Sequence, residues 1–109
     1  MKINEFTTPP DNRLPYDVVD DLAIFMRNDP MFYRQKMFPC IMRMKDAYDG
    51  QKSIVPQKVI GPVVDEGMEQ YCEKFKLGSR DKIFKLEDRD EAINKIYGEE
   101  MKMIETGAY

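Results

Sequence analysis

The chain has 109 residues, 42% of them hydrophobic and 34% charged, with a net charge of −3; this is the size and balance of one globular domain with a charged surface. No apolar run approaches the roughly 20 residues that a bilayer-spanning helix needs. There is no histidine, which removes the commonest general base, the commonest metal ligand and every Ser-His or Cys-His pair.

In chain order, Pro9 and Pro10 disfavour helix and Asp11-Asn12 supplies turn chemistry, so residues 1–15 read as an extended N-terminal arm. The arm lacks an apolar signal core, which points to an intracellular, cytoplasmic protein. Residues 16–109 read as a single helical domain. Its first helix spans about Tyr16 to Asn28, with Asp17, Asp20 and Asp21 near the start, where carboxylates favour the positive end of the helix dipole. Val18, Leu22, Phe25 and Met26 form its inward stripe, widened by Val19 and Ala23.

The stretch Asp29 to Gly50 is the centre of the chain. Asp29 is a capping residue and Pro30 suits the first helical position. Eleven of the eighteen side chains from Met31 to Tyr48 are apolar or aromatic, and they fall on more than one face, as in a helix that is central in a small core or turns one face to a partner. Pro39 removes the N–H that would reach the Gln35 carbonyl, so a kink at Met37 to Pro39, or two helices sharing a corner, is expected. Gly50 should cap the end.

After a polar break at Asp49 to Ser53, Pro56 and Pro62 argue against an interior strand. A short helix from Pro56 and a second from Pro62 are expected, with Ile60, Val64, Met68, Tyr71 and Phe75 facing inward and Gly78 closing the segment. A connector over residues 79–88 should bury Ile83, Phe84 and Leu86. Asp88 should then cap a last helix running to about Glu105, with Glu91 completing an approximate capping box. Ala92, Ile93, Ile96, Tyr97 and Ile104 form its stripe, and Gly107 ends it. Gly98 weakens this helix by about 1 kcal/mol against alanine, which suggests a close helix crossing there. The fold class is all-α: one compact domain of four to five helices around a central Pro-kinked helix.

Most enzyme chemistries lack their parts. Cys40 and Cys72 are too few for a four-ligand zinc site and belong to no CxxC pair; they read as reduced, buried thiols, with a disulfide between them left open. No phosphate-binding glycine loop is present. The carboxylate clusters Asp17/Asp20/Asp21 and Glu87/Asp88/Asp90/Glu91 stand at helix starts, where capping and dipole compensation explain them better than a cation site. No catalytic residue, metal site or cofactor is expected.

Two surfaces remain. Met31, Phe32, Tyr33, Met37, Phe38, Met42 and Met44 crowd one segment. Methionine adapts to irregular neighbours, fills cores and is over-used on binding surfaces, and a chain this short struggles to bury them all, so part of the set is a candidate protein-binding surface for a partner or a second copy in a homodimer. The other surface is electrostatic. Residues 1–30 carry net −3, residues 31–60 net +4 and residues 61–109 net −4. Arg34, Lys36, Arg43 and Lys45 are the material for nucleic-acid or anion contacts, with Arg34 and Lys45 on one side of an ideal helix and Tyr33 and Tyr48 able to stack on bases. Intramolecular pairing with the acidic flanks is the simpler account of this charge.

The stretches PYDVVDDLAIFMRNDPMFYRQKMFP, residues 15–39, and EAINKIYGEEMKMIETGAY, residues 91–109, resemble small uncharacterised proteins of marine T4-like phages. The resemblance implies no activity and no catalytic residues. It implies a protein that acts in an infected cell by binding something. The reading is therefore a non-enzymatic accessory protein that works by protein–protein interaction, with nucleic-acid binding by the basic central segment as the alternative.

Overall fold

In the computed structural model, which describes residues 17–109, Asp17 begins the first helix: its carboxylate accepts the N–H groups of Val19 and Asp20. The expected N-terminal arm, residues 1–15, and the expected helix start at Tyr16 lie outside the described residues. Helix α1, Val18–Asn28, buries all six expected stripe residues. The chain turns at Asp29, whose carboxylate accepts the Phe32 N–H at 3.0 Å with Pro30 in the first helical turn.

One rod then runs from residue 30 to residue 49. It consists of α2 (Pro30–Phe32), a π turn (Tyr33–Met37) and α3 (Phe38–Asp49). The expected break before Pro39 is resolved by an extra residue within the rod. The Phe38 N–H donates to the Tyr33 carbonyl, five residues back. A π turn widens the helix, which relieves the crowding between the Pro39 ring and the preceding carbonyls.

Gly50 is the C-cap of α3, but with φ −85° it is not the left-handed residue of the ending. Gln51 is, with φ 57°, while the N–H groups of Gln51 and Lys52 close on the carbonyls of Tyr48 and Ala47. The ending of α5 repeats this with Lys76 at φ 55°, so Gly78 lies beyond the cap it was expected to form. In α7 the left-handed position falls on Gly107, φ 80°, where the missing Cβ removes the steric cost.

Helix α4 (Pro56–Val59) and α5 (Gly61–Lys74) begin as the two prolines indicate, and α6 (Arg80–Ile83) is a single turn capped by Ser79. Helix α7, Leu86–Glu105, starts before Asp88, and the Asp88 carboxylate reaches back to accept the Lys85 N–H at 2.8 Å. Asp88 is therefore the third helical residue rather than the cap. Leu86, expected inside, stands at the first position of α7 and is 83% exposed. Phe75, expected to continue the α5 stripe, is 49% exposed because the helix ends at Lys74.

Helix α1 packs on α5, on α7 and on the π turn, while α3 packs on α4 and α7. The core is aliphatic at one end and aromatic at the other, where Phe25 meets Phe32, Tyr71 and Phe75, and Tyr71 meets Phe84. The close helix approach lies at Gly67, not Gly98. A Cβ at Gly67 would stand 2.9 Å from the Met26 Cγ and Sδ, whereas a Cβ at Gly98 would meet nothing within 4 Å. All described regular structure is helical, and the fold is a single all-α domain. Among the described residues no helix is long and apolar enough to cross a membrane.

Candidate protein-docking face

The rod determines which of its apolar residues face the core. Phe32, Met37, Cys40, Ile41 and Met44 are buried. Their spacing is five, three, one and three residues, with the five-residue step spanning the π turn. Three of the seven candidate surface residues, Phe32, Met37 and Met44, thus belong to the interior. Tyr33 and Met42 are half-buried, and Met31 and Phe38 remain exposed, at 54% and 42%.

Around Phe38 the apolar groups form a small surface. Phe38 and Met42 stand four residues apart, one turn along α3. The Tyr33 ring packs beside Phe38 with centroids 6.3 Å apart. Arg34 lies over Met31, its Nη2 3.5 Å from the Met31 Sδ.

Charge surrounds this surface. Arg34, Lys36 and Arg43 are exposed and form no salt bridge with any described residue. Lys45 differs: its Nζ pairs with Asp49 at 2.8 Å. Some carboxylates of the acidic flanks pair with cations of the flanks themselves. Arg89 holds Asp65 through two contacts, 2.6 and 3.1 Å, Arg80 adds a third charge contact to Asp65, and Lys95 joins Asp20 and Glu99. The Arg89 contact holds the Asp65 carboxyl below its usual pKa.

Beneath the face is a polar cluster that the sequence reading did not find. Glu100 on α7 is 2% exposed. Its Oε2 accepts from the Arg27 Nη2 at 2.6 Å and its Oε1 accepts from the Tyr109 hydroxyl at 2.6 Å. Burial, the Glu100 carboxylate and the adjacent Tyr33 hydroxyl together push the Tyr109 hydroxyl above the usual tyrosine range. The cluster thus anchors the end of the chain beside Tyr33, at the edge of the exposed face. Cys40 lies nearby, its thiol donating to the Val59 carbonyl at 3.3 Å, with burial pushing its pKa up. Both cysteines are free and buried.

The acidic clusters have structural work. Asp17 caps α1, Asp20 pairs with Lys95, Asp21 accepts from the Tyr71 hydroxyl and Asp88 accepts from the Lys85 N–H. Among the described residues no three His, Cys, Asp or Glu groups assemble in a metal-holding arrangement. An apolar concavity of about 230 Å³ lies where α1 ends and α5 ends, with Ile24, Pro30 and Phe75 on its rim. Lys74 fills part of it, its ammonium 5.5 Å from the Phe25 ring centre and 3.4 Å from Asp29.

No family model matches this chain, no curated protein matches it and no solved structure matches it.

Proposed function

We propose that this chain is a non-enzymatic interaction protein that binds a partner protein through the outer face of the central rod. The observation that carries this reading is the exposure of Phe38 and Met31 in a rod that buries Phe32, Met37, Ile41 and Met44. Isolated exposed apolar side chains are ordinary. Here Phe38 is joined by Tyr33 and stands one turn from Met42, bordered by Arg34, Lys36 and Arg43, which form no salt bridge with any described residue, the arrangement of an apolar centre with a polar rim. The phage resemblance supplies a setting, the cytoplasm of an infected cell, and two reduced, buried cysteines suit that compartment.

Nucleic-acid binding by the same face is the weaker reading. Lys45 is held by Asp49, which leaves Arg34, Lys36 and Arg43, and Phe38 and Met42 occupy the positions between them. Three phosphate contacts would give shallow affinity and a shallow salt slope.

The test is affinity capture from bacterial lysate, with and without nuclease, using the wild type, Met31→Asp and Phe38→Asp. A nuclease-resistant partner lost with both variants, whose helicity stays intact, is the expected result. A partner retained by both variants places the surface elsewhere, and capture that requires intact nucleic acid replaces this reading with the alternative.

A further inference from the structure

We infer that the occupant of this face is an acidic amphipathic helix of the partner, its apolar side chains set one turn apart against Phe38 and Met42 and its carboxylates within reach of Arg34 and Arg43. The inference rests on the docking reading above and specifies the chemistry of the partner.

Charge carries the argument. The protein is acidic overall, yet residues 31–60 hold six cations and two anions. Elsewhere every described arginine, Arg27, Arg80 and Arg89, meets a described carboxylate within 4 Å, as do Lys74 and Lys95, whereas Lys76, Lys82, Lys85 and Lys102 do not. On the rod Arg34, Lys36 and Arg43 meet none. An opposite charge from outside raises the encounter rate and fixes the register of an apolar contact.

Shape narrows the partner further. The apolar residues Phe38 and Met42 stand at a four-residue interval, one turn apart along α3. A facing helix repeats its own apolar residues at three and four, so the two rows match. A rod of some twenty residues is about 30 Å long, enough for four turns of such a helix.

A second copy of this chain is disfavoured on the same grounds. A two-fold contact through one shared face sets residue against residue across the axis, and would bring two sets of Arg34, Lys36 and Arg43 together. A nucleic acid could stack on the Tyr33 and Phe38 rings but gains nothing from the Met42 side chain beside them.

The test is a display library of amphipathic helical peptides of about 16 residues, randomised in charge and in apolar spacing and selected on the intact protein. Expected winners are net negative with apolar residues at three- and four-residue intervals. They bind Arg34→Glu/Arg43→Glu about tenfold or more weaker, and a Glu→Lys version of the same peptide regains binding to that variant. All three substituted side chains, Arg34, Phe38 and Arg43, are exposed, and circular dichroism confirms that each variant stays folded. Neutral or basic winners that still depend on Phe38 overturn the inference and leave the docking face standing. If no winner is weakened by Phe38→Asp, the docking face itself is overturned. Tighter binding of a single-stranded oligonucleotide than of any winner, abolished by Arg34→Glu/Arg43→Glu, overturns both in favour of nucleic acid.

Discussion

Phe32 and Met37 are successive core positions of the central rod, both 1% exposed, and they stand five residues apart. On a regular α-helix five residues advance about 500°, which would set the two side chains some 140° apart. The π turn between them absorbs the extra residue and returns both to the interior. It also places Pro39 just beyond the Phe38-to-Tyr33 bond, where a missing N–H costs less than inside a regular turn.

The core register and the proline are thus two reasons for one irregularity, and a deletion cycle separates them. Removing Gln35 gives the rod a regular α spacing for its buried residues but leaves the proline inside an unbroken helix. That deletion should cost about 3 kcal/mol. Combining it with Pro39→Ala should recover most of the loss, while Pro39→Ala alone changes stability by less than about 1 kcal/mol, because the core still holds the π turn. Urea unfolding of the four proteins measures the coupling. Equal losses for the deletion with and without proline would show that the core register alone sets the turn.

Glu100 is the buried charged residue among those described, and Arg27 is its cationic partner at 2.6 Å. Removing the cation leaves a desolvated carboxylate with the Tyr109 hydroxyl as its remaining partner among those described. Arg27→Ala should therefore destabilise by about 3 kcal/mol. Glu100→Met should cost much less, since it removes the need for compensation and Arg27 retains Glu99 at 2.7 Å. Chemical denaturation of the two variants gives the comparison, and an equal loss in both would mean that the pair itself, not the stranded charge, supplies the stability.

The helices were legible where local chemistry decides them. The α1 stripe, the Asp29-Pro30 start and the starts at Pro56 and Pro62 all follow from residues within one turn. The division of the rod into core and surface was not legible, because a 3.6-residue count loses phase at the π turn: it cannot tell Met37 from Phe38. The periodicity of α5 runs on to Phe75, one residue past the helix end at Lys74, because Lys76 supplies the left-handed residue of the ending that only a glycine would announce. Glu100 looks like any solvent-facing glutamate. Its role depends on Arg27, 73 residues away, and no local pattern encodes that contact.

Gly67 and Gly98 both lie inside helices, and alanine should act on them in opposite directions. At Gly98 nothing lies within 4 Å of the added Cβ, so Gly98→Ala should stabilise by up to about 1 kcal/mol through helix propensity. At Gly67 the new methyl meets the buried Met26 side chain at 2.9 Å. Overpacking of this kind costs about 1–3 kcal/mol, which offsets or exceeds the propensity gain, so Gly67→Ala should be destabilising. Thermal unfolding of the two variants settles it, and stabilisation by both would mean that Met26 repacks freely.

Tyr109 makes stability depend on alkaline pH. Its folded pKa is raised above the ordinary value of 10.0, first by burial and then by the Glu100 carboxylate. The folded state therefore keeps the phenolic proton longer than the unfolded chain does. Stability from this group is fully present below about pH 10 and is lost as the pH rises beyond it. Tyr109→Phe should be less stable than the wild type near neutrality by about 1 kcal/mol, the net worth of a lost hydrogen bond, and should lose less stability between neutral and strongly alkaline pH. Urea midpoints for both proteins across that range, with phenolate absorbance followed in parallel, read the difference. Parallel pH profiles would show that Tyr109 ionises as freely in the folded protein as in the unfolded chain, and the contact with Glu100 would then carry no proton linkage.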